Sequence, residues 1–465
     1  RTKIFCACAN EFGAPPNTNV CPVCLGLPGA LPVLNAAAVE MAVAAALALG
    51  CRVAETSIFA RKHYFYPDLP KGYQISQYDR PLAEGGAVPA EVDGERRSFP
   101  LVRIHLEEDA GKSLHAEDGP GDTRLDLNRC GTPLIEIVSE PALRRPEEAG
   151  TYLTSLRQIV RYLHVSDGDM SQGSLRCDAN VSVRRQGDRT LGTKTEVKNL
   201  NSIKAVERAI AAEAARQVRV LEGGGRVEQI TLLWDDAAGD VRPMRTKEHA
   251  HDYRYFPEPD LMPLEVDPAR REEIRRSLPE LPFARRDRVA REHGIPAYDA
   301  ALLTSSRALA DWYEELARLS GDAKTASNWT MGEVLRVQKE RGGEIESFPV
   351  TPAALAELIA MVRDGTVSGG TAKEVFEKMA AGGGRGAREI VEAEGLAQIS
   401  DAGALEAAVD TVIEGHPGQV AEYLAGKEPV LGFLVGQVMK ATRGKANPKL
   451  VNELLRARLR SGDPA

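Results

Sequence analysis

Four cysteines fall early in the chain, as Cys6-x-Cys8 and Cys21-x-x-Cys24. Two such short-range pairs form knuckles whose thiolates can converge on one tetrahedral ion at about 2.3 Å. Pro15, Pro16, Asn17 and Pro22 suit the tight turns this requires. The alternatives are a disulfide pair, disfavoured in a reducing compartment, or unpaired small hydrophobes. All four ligand positions are filled, so the site reads as closed and structural, with Zn²⁺ as the ion. Cys51, Cys130 and Cys177 lack the spacing and read as buried thiols.

A second constellation is rich in carboxylates: His105-Leu106-Glu107-Glu108-Asp109-Ala110-Gly111-Lys112-Ser113, then Leu134-Ile135-Glu136-Ile137-Val138. Glu136 interrupts an apolar strand, where an ionised carboxylate is costly unless it is paired or binds a cation. Mg²⁺ taking oxygens from Glu136 and from one of Glu107, Glu108 and Asp109 meets that need. A partly buried ion pair with Arg103, Arg129 or Lys112 is the plainer alternative. His105 alone reads as a packed or surface histidine rather than a ligand. Gly111-Lys112-Ser113 ends like a phosphate loop, but Leu106 stands where the first glycine of that motif belongs, which excludes a P-loop fold.

Three further strings mix cations, amides and aromatic rings with Pro and Gly: Arg61 to Asp79, Gly192 to Ser202 and His251 to Asp260. Such side chains can stack on or hydrogen-bond a ligand, so the strings read as pocket linings. The last two, each taken alone, are equally compatible with a structural role; the first is less so.

The elements that must hold these groups divide the chain. Strand-like runs at Leu101 to Ile104, Leu134 to Val138, Asn180 to Arg184 and Thr195 to Val197 alternate with loops. Helical patterns run from Pro146 to Tyr162 and from Ile203 to Leu221, with favourable N-terminal chemistry and Gly223-Gly224-Gly225 as a stop. Beyond Pro279-Glu280-Leu281-Pro282 strand patterns nearly vanish and helices follow to the end. The expected domains are 1–285, mixed α/β; 286–398, all-α; and 399–465, all-α, with the last boundary near Ile399-Ser400-Asp401. An apolar share of 43% and a charged share of 27% are ordinary for a globular protein. No uninterrupted apolar run reaches the roughly 18 residues of a membrane span, so a cytoplasmic protein is expected and no membrane partner. The net charge of -8 means that a nucleic acid would need a local basic patch.

Four long strings together resemble the B subunit of the bacterial glutamine-dependent aspartyl/glutamyl-tRNA amidotransferases. They are Cys21-Pro22-Val23-Cys24-Leu25-Gly26-Leu27-Pro28-Gly29, Tyr64-Phe65-Tyr66-Pro67-Asp68-Leu69-Pro70-Lys71, His105 to Ser113, and Asp252-Tyr253-Arg254-Tyr255-Phe256-Pro257-Glu258-Pro259-Asp260. The resemblance covers nearly the whole chain. It implies an α+β cradle-shaped catalytic domain followed by an all-α helical domain and an all-α tail domain. It also implies ATP-dependent phosphorylation of the side-chain carboxyl of misacylated Asp-tRNA or Glu-tRNA, then transamidation with glutamine-derived ammonia. An amidase-like A subunit and a small C subunit are the implied protein partners.

The resemblance maps carboxylates that hold catalytic Mg²⁺ onto Glu108 and Glu136. Two further family ligands come from a Gly-Leu-Glu-x-His strand that does not occur in this sequence, so an incomplete magnesium site is expected. It also carries the four-cysteine zinc site onto Cys6, Cys8, Cys21 and Cys24. Polarity and resemblance together make Arg61, Lys62, Tyr64, Lys71 and Arg254 candidates for substrate or nucleotide binding. Gly432 to Lys440 and Gly444 to Pro448 look like the family's tRNA-gripping tail, with Lys440, Arg443, Lys445 and Lys449 as phosphate contacts. Residues 427–460 hold eight Lys or Arg against Glu428 and Glu453, although such runs are usually solvated helix surface. A different class of reading is a non-catalytic, zinc-containing tRNA-binding scaffold. Glu136 separates the two, because a scaffold has no need of a carboxylate in an apolar strand.

Overall fold

The computed structural model describes residues 2–114, 122–244, 253–398, 402–442 and 446–461. Contacts divide the chain into two units, Arg1–Pro282 and Phe283–Ala465. The first break falls three residues before the expected 285, at the proline that opens the next helix, Pro282–His293.

The first unit is mixed α/β. Its main sheet is antiparallel, in the order Arg52–Val53, Ala83–Glu84, Glu95–Glu108, Pro133–Ser139, and Ala87–Val92 pairs with the first half of the long strand. Against it packs the alanine-rich helix Ala36–Ala48, capped by the Asn35 side chain on the Ala37 N–H. Small side chains let this helix approach closely, and Ala42, Val43, Ala45 and Ala46 have no solvent exposure.

A second sheet runs Ala179–Val181, Thr195–Lys198, Thr231–Asp235, Asp240–Pro243. Its middle pair is parallel, as its connection through the helix Ile203–Glu222 allows. Ser202 caps that helix on the Ala205 N–H, and Gly223 ends it. The buried face of the helix carries Glu213 and Gln217. Thr195 Oγ1, Arg216 Nη2 and Gln217 Nε2 all donate to Glu213 Oε1, at 2.7, 2.8 and 2.7 Å. The helix Pro146–Tyr162 begins with proline, as the sequence predicts, and its Glu148 is buried against Arg97 at 2.5 Å. A third sheet, Phe256–Pro257, Ala60–His63, Tyr73–Ser76, gathers two of the polar strings. Of the expected strands, Asn180 to Arg184 is shorter in the structure, ending at Val181.

The second unit contains no strand among the described residues. Its buried apolar residues form two separate cores. One spans Val289 to Val391 around Tyr313, Leu316 and Phe376, and the other spans Leu405 to Leu459 around Leu434 and Val438. The expected boundary at Ile399-Ser400-Asp401 lies outside the described residues.

Candidate functional site

The long strand Glu95–Glu108 sets the geometry through one irregularity. Phe99 and Leu101 point into the core, yet so do Ile104 and Leu106, so the inward parity changes from odd to even. The pairing explains the change: Val138 faces Arg103 and Ser139 faces Leu101, which leaves Val102 as an extra residue. A bulge of this kind bends the strand and re-aims the side chains beyond it. His105 and Glu107 therefore turn away from the apolar core, and Glu136 on the neighbouring strand stands directly opposite His105.

Their ligating atoms lie within 4.8 Å of one another. His105 Nε2 is 3.7 Å from Glu107 Oε2 and 3.6 Å from Glu136 Oε2. His105 is 3% exposed, and its Nδ1 is buried without a partner, as is Arg103 Nε. Burial pushes the Glu107 carboxyl up, but His105, Lys62 and Ser76 outweigh it and hold the group below its ordinary range. One imidazole and two carboxylates at this spread are a donor set that one divalent cation can bridge with bonds of about 2.0–2.5 Å.

This arrangement corrects two expectations. Glu136 is not a buried charge, because its side chain is 49% exposed and its neighbour is His105 rather than Arg103, Arg129 or Lys112. Glu108 does not join it. The Glu108 side chain is 3% exposed, pairs with Lys71 Nζ and accepts from the Ile75 N–H at 2.9 Å. Adjacent residues of a strand point to opposite faces, so Glu107 belongs to the cluster and Glu108 cannot. His105, read from sequence as a packed or surface histidine, is indeed packed, and its position beside Glu107 and Glu136 adds it to the candidate ligands.

The candidate binding residues sort by the same alternation. Arg61 Nε and Nη2 donate to the two Glu258 oxygens at 2.7 and 2.8 Å, Nη2 reaches Asp260 at 3.1 Å, and the guanidinium lies over the Tyr73 ring. It clamps Phe256–Pro257 onto its neighbour and is occupied by that task. Lys71 is likewise taken by Glu108. Lys62 lies over the Tyr253 ring at 4.8 Å and acts electrostatically on Glu107. The Tyr64 hydroxyl donates to Gln74 at 3.4 Å, and burial together with Glu107 and Asp109 pushes its phenol up. Lys62 and Tyr64 thus belong to the cluster face. Arg254 is exposed in a left-handed conformation (φ 46°), and its carbonyl lies 3.2 Å from His63 Nδ1.

Sequence reasoning placed aromatic rings in two pocket-lining strings but did not show that rings from the two strings meet in one wall beside these groups. Tyr78 and Tyr255 stack at 4.2 Å, and Tyr253 meets Tyr64 and Tyr255 edge to face. Asp109 is also placed on the cluster side of the strand's parity, held by Arg176 at 2.7 Å and Arg129 at 3.4 Å.

The four early cysteines do converge: their Sγ atoms lie within 4.8 Å of one another, and Cys21 and Cys24 are 3.8 Å apart. Tetrahedral bonds of about 2.3 Å place sulfurs about 3.8 Å apart, so the set fits zinc. A hydrogen bond from Cys6 lowers the Cys24 thiol to about 4, helped by the Cys21 N–H and Lys3. The knuckle also touches the Glu108 pair, since Gly26 sits at φ 66° where any side chain would collide with the Lys71 stem. Cys51 and Cys130 are buried as expected, whereas Cys177 is only partly so.

In the tail, Lys440 and Lys449 are exposed, on the helices Val430–Ala441 and Pro448–Ser461. Arg443 and Lys445 lie outside the described residues.

Comparison with known proteins adds what geometry cannot. Residues 1–272 match the GatB/GatE catalytic domain family, and residues 311–459 match the GatB domain family. A protein of Moorella thermoacetica is 57% identical over 460 residues, covering 98% of this chain and 96% of its own length. One from Chlorobium phaeobacteroides is 56% identical with the same coverage, and one from Alkalilimnicola ehrlichii is 54% identical over 99% of this chain and 96% of its own length. Each of the three is named as the B subunit of an aspartyl/glutamyl-tRNA(Asn/Gln) amidotransferase. Identity of this extent, running through both units, establishes that the chain belongs to the B-subunit family of these amidotransferases.

Proposed function

We propose that this chain carries out the ATP-dependent half of tRNA amidation, with His105, Glu107 and Glu136 as its catalytic metal ligands. A carboxylate oxygen of the misacylated Asp-tRNA or Glu-tRNA attacks the γ-phosphorus of ATP and ADP leaves, giving an acyl phosphate. Ammonia then attacks the acyl carbon and phosphate leaves, giving Asn-tRNA or Gln-tRNA. The first step joins two anions, and Mg²⁺ would be held by His105, Glu107 and Glu136, where it would supply the charge that lets them meet.

The remaining residues bind and exclude. Lys62 adds a cation beside Glu107, Tyr64 keeps its proton as a hydrogen-bond donor, and the rings of Tyr253 and Tyr255 shed water that would compete with ammonia. The four cysteines hold structural Zn²⁺. An amidase-like A subunit supplies ammonia and a small C subunit secures the pair. The two cores of the second unit act as a helical domain and a tail that binds tRNA through Lys440 and Lys449, with Arg443 and Lys445. The assembly works in the cytoplasm.

The observation that carries this reading is the buried histidine with two carboxylates converging on one face of the strand pair. A scaffold has no use for it, and this discriminator replaces Glu136 alone. The test is amide formation on Asp-tRNA(Asn) and on Glu-tRNA(Gln) with both partner subunits, glutamine and Mg-ATP. Amide formed in step with ADP release is expected; tRNA binding without amide on either substrate would favour the scaffold.

A further inference from the structure

The Lys3 side chain is fully buried. Its Nζ donates to the Asn19 carbonyl at 2.7 Å and to Cys24 Sγ at 3.5 Å. Among the described residues its ammonium pairs with no carboxylate. A buried charge without an opposite charge is costly, so its counter-charge must lie among the sulfurs. The same residue ties both knuckles together: its backbone N–H donates to the Cys8 carbonyl at 3.1 Å, and Asn19 leads into the Cys21 turn. Gly131 closes the lid, since an added side chain there would meet both Lys3 and Cys24.

We propose that Lys3 is the charge partner of the four-cysteine centre. A divalent ion held by four thiolates leaves two surplus negative charges, and a buried ammonium hydrogen-bonded to one sulfur offsets part of that excess. Lys3 is then a positioning residue that sets how tightly the metal is held. The surrounding chain gains in return, because metal and lysine each make the other's burial tolerable. This rests on the reading of the four cysteines as a zinc centre.

The experiment is zinc competition with a chromophoric chelator on the full-length chain, for wild type, Lys3→Met and Lys3→Gln. Outer partners of metal ligands contribute roughly 10–100-fold to affinity, and Lys3→Met is expected to lose that much. Lys3→Gln keeps a donor without the charge and is expected to recover only part of it. Unchanged affinity in either folded variant would overturn the proposal. Should neither variant fold, wild type still decides: Lys3 is expected to resist amine acylation with zinc bound and to react after chelation, and equal labelling in both states would refute the coupling. Wild type that binds no zinc would reject the zinc reading itself, and this inference with it.

Discussion

Glu107 and Glu108 are neighbours in sequence with opposite duties. Glu107 faces His105 and Glu136, while Glu108 is sealed beneath the cysteine knuckle with Lys71. Removing one partner of a buried pair leaves the other charge stranded, so Glu108→Gln should lower the unfolding free energy by roughly 3 kcal/mol in urea titration. Lys71→Met combined with Glu108→Leu should recover much of that, and additive losses in the double variant would show that the pair is not coupled. The density of carboxylates here was legible in the sequence. Which of them face the cluster was not, because parity along a strand cannot be assigned until the bulge at Val102 is known. Arg61 and Lys71 looked available for substrate because their partners, Glu258 and Glu108, stand far away in sequence.

Elements bounded by local chemistry were read well. The helix starts at Pro146 and Ile203 follow from a proline and a serine cap, and the four cysteines follow from spacing alone. The third sheet was not foreseen, since pairing Phe256–Pro257 with Ala60–His63 joins residues nearly two hundred positions apart. Within the helix Ile203–Glu222, burial opposes ionisation of Glu213, but hydrogen bonds from Arg216, Gln217 and Thr195 win and hold it below its ordinary 4.5. A depressed folded value adds stability above the unfolded value, and that stability is lost as pH falls through the folded one. Glu213→Gln should therefore cost about 2 kcal/mol near pH 7, less than breaking a fully buried pair because Arg216 is 29% exposed. The gap from wild type should shrink below pH 4.5, and a gap independent of pH would show that Glu213 is not ionised in the fold.

For the whole molecule, an overall charge of -8 sits uneasily with a polyanionic substrate. The exposed lysines of the tail provide the local exception. Each phosphate contact contributes about 0.9 to the slope of log affinity against log salt, so Lys440→Ala with Lys449→Ala should reduce that slope by up to about 1.8. An unchanged slope would remove these lysines from the tRNA contact. The division into a mixed unit and a helical one was legible from the loss of strand patterns after Pro282, and the family from four long strings in the first unit. The central claim is that the catalytic face is the one bearing His105, Glu107 and Glu136. It is tested most directly by amide formation in the complete assembly at saturating Mg-ATP, comparing Glu107→Gln with Glu108→Gln while tRNA affinity and folded fraction are measured alongside. Glu107→Gln is predicted to slow amidation at least ~100-fold with tRNA affinity and folded fraction intact, and Glu108→Gln to lose activity only as folded protein is lost. The opposite pattern, with Glu107→Gln active and folded Glu108→Gln inactive, would contradict the account.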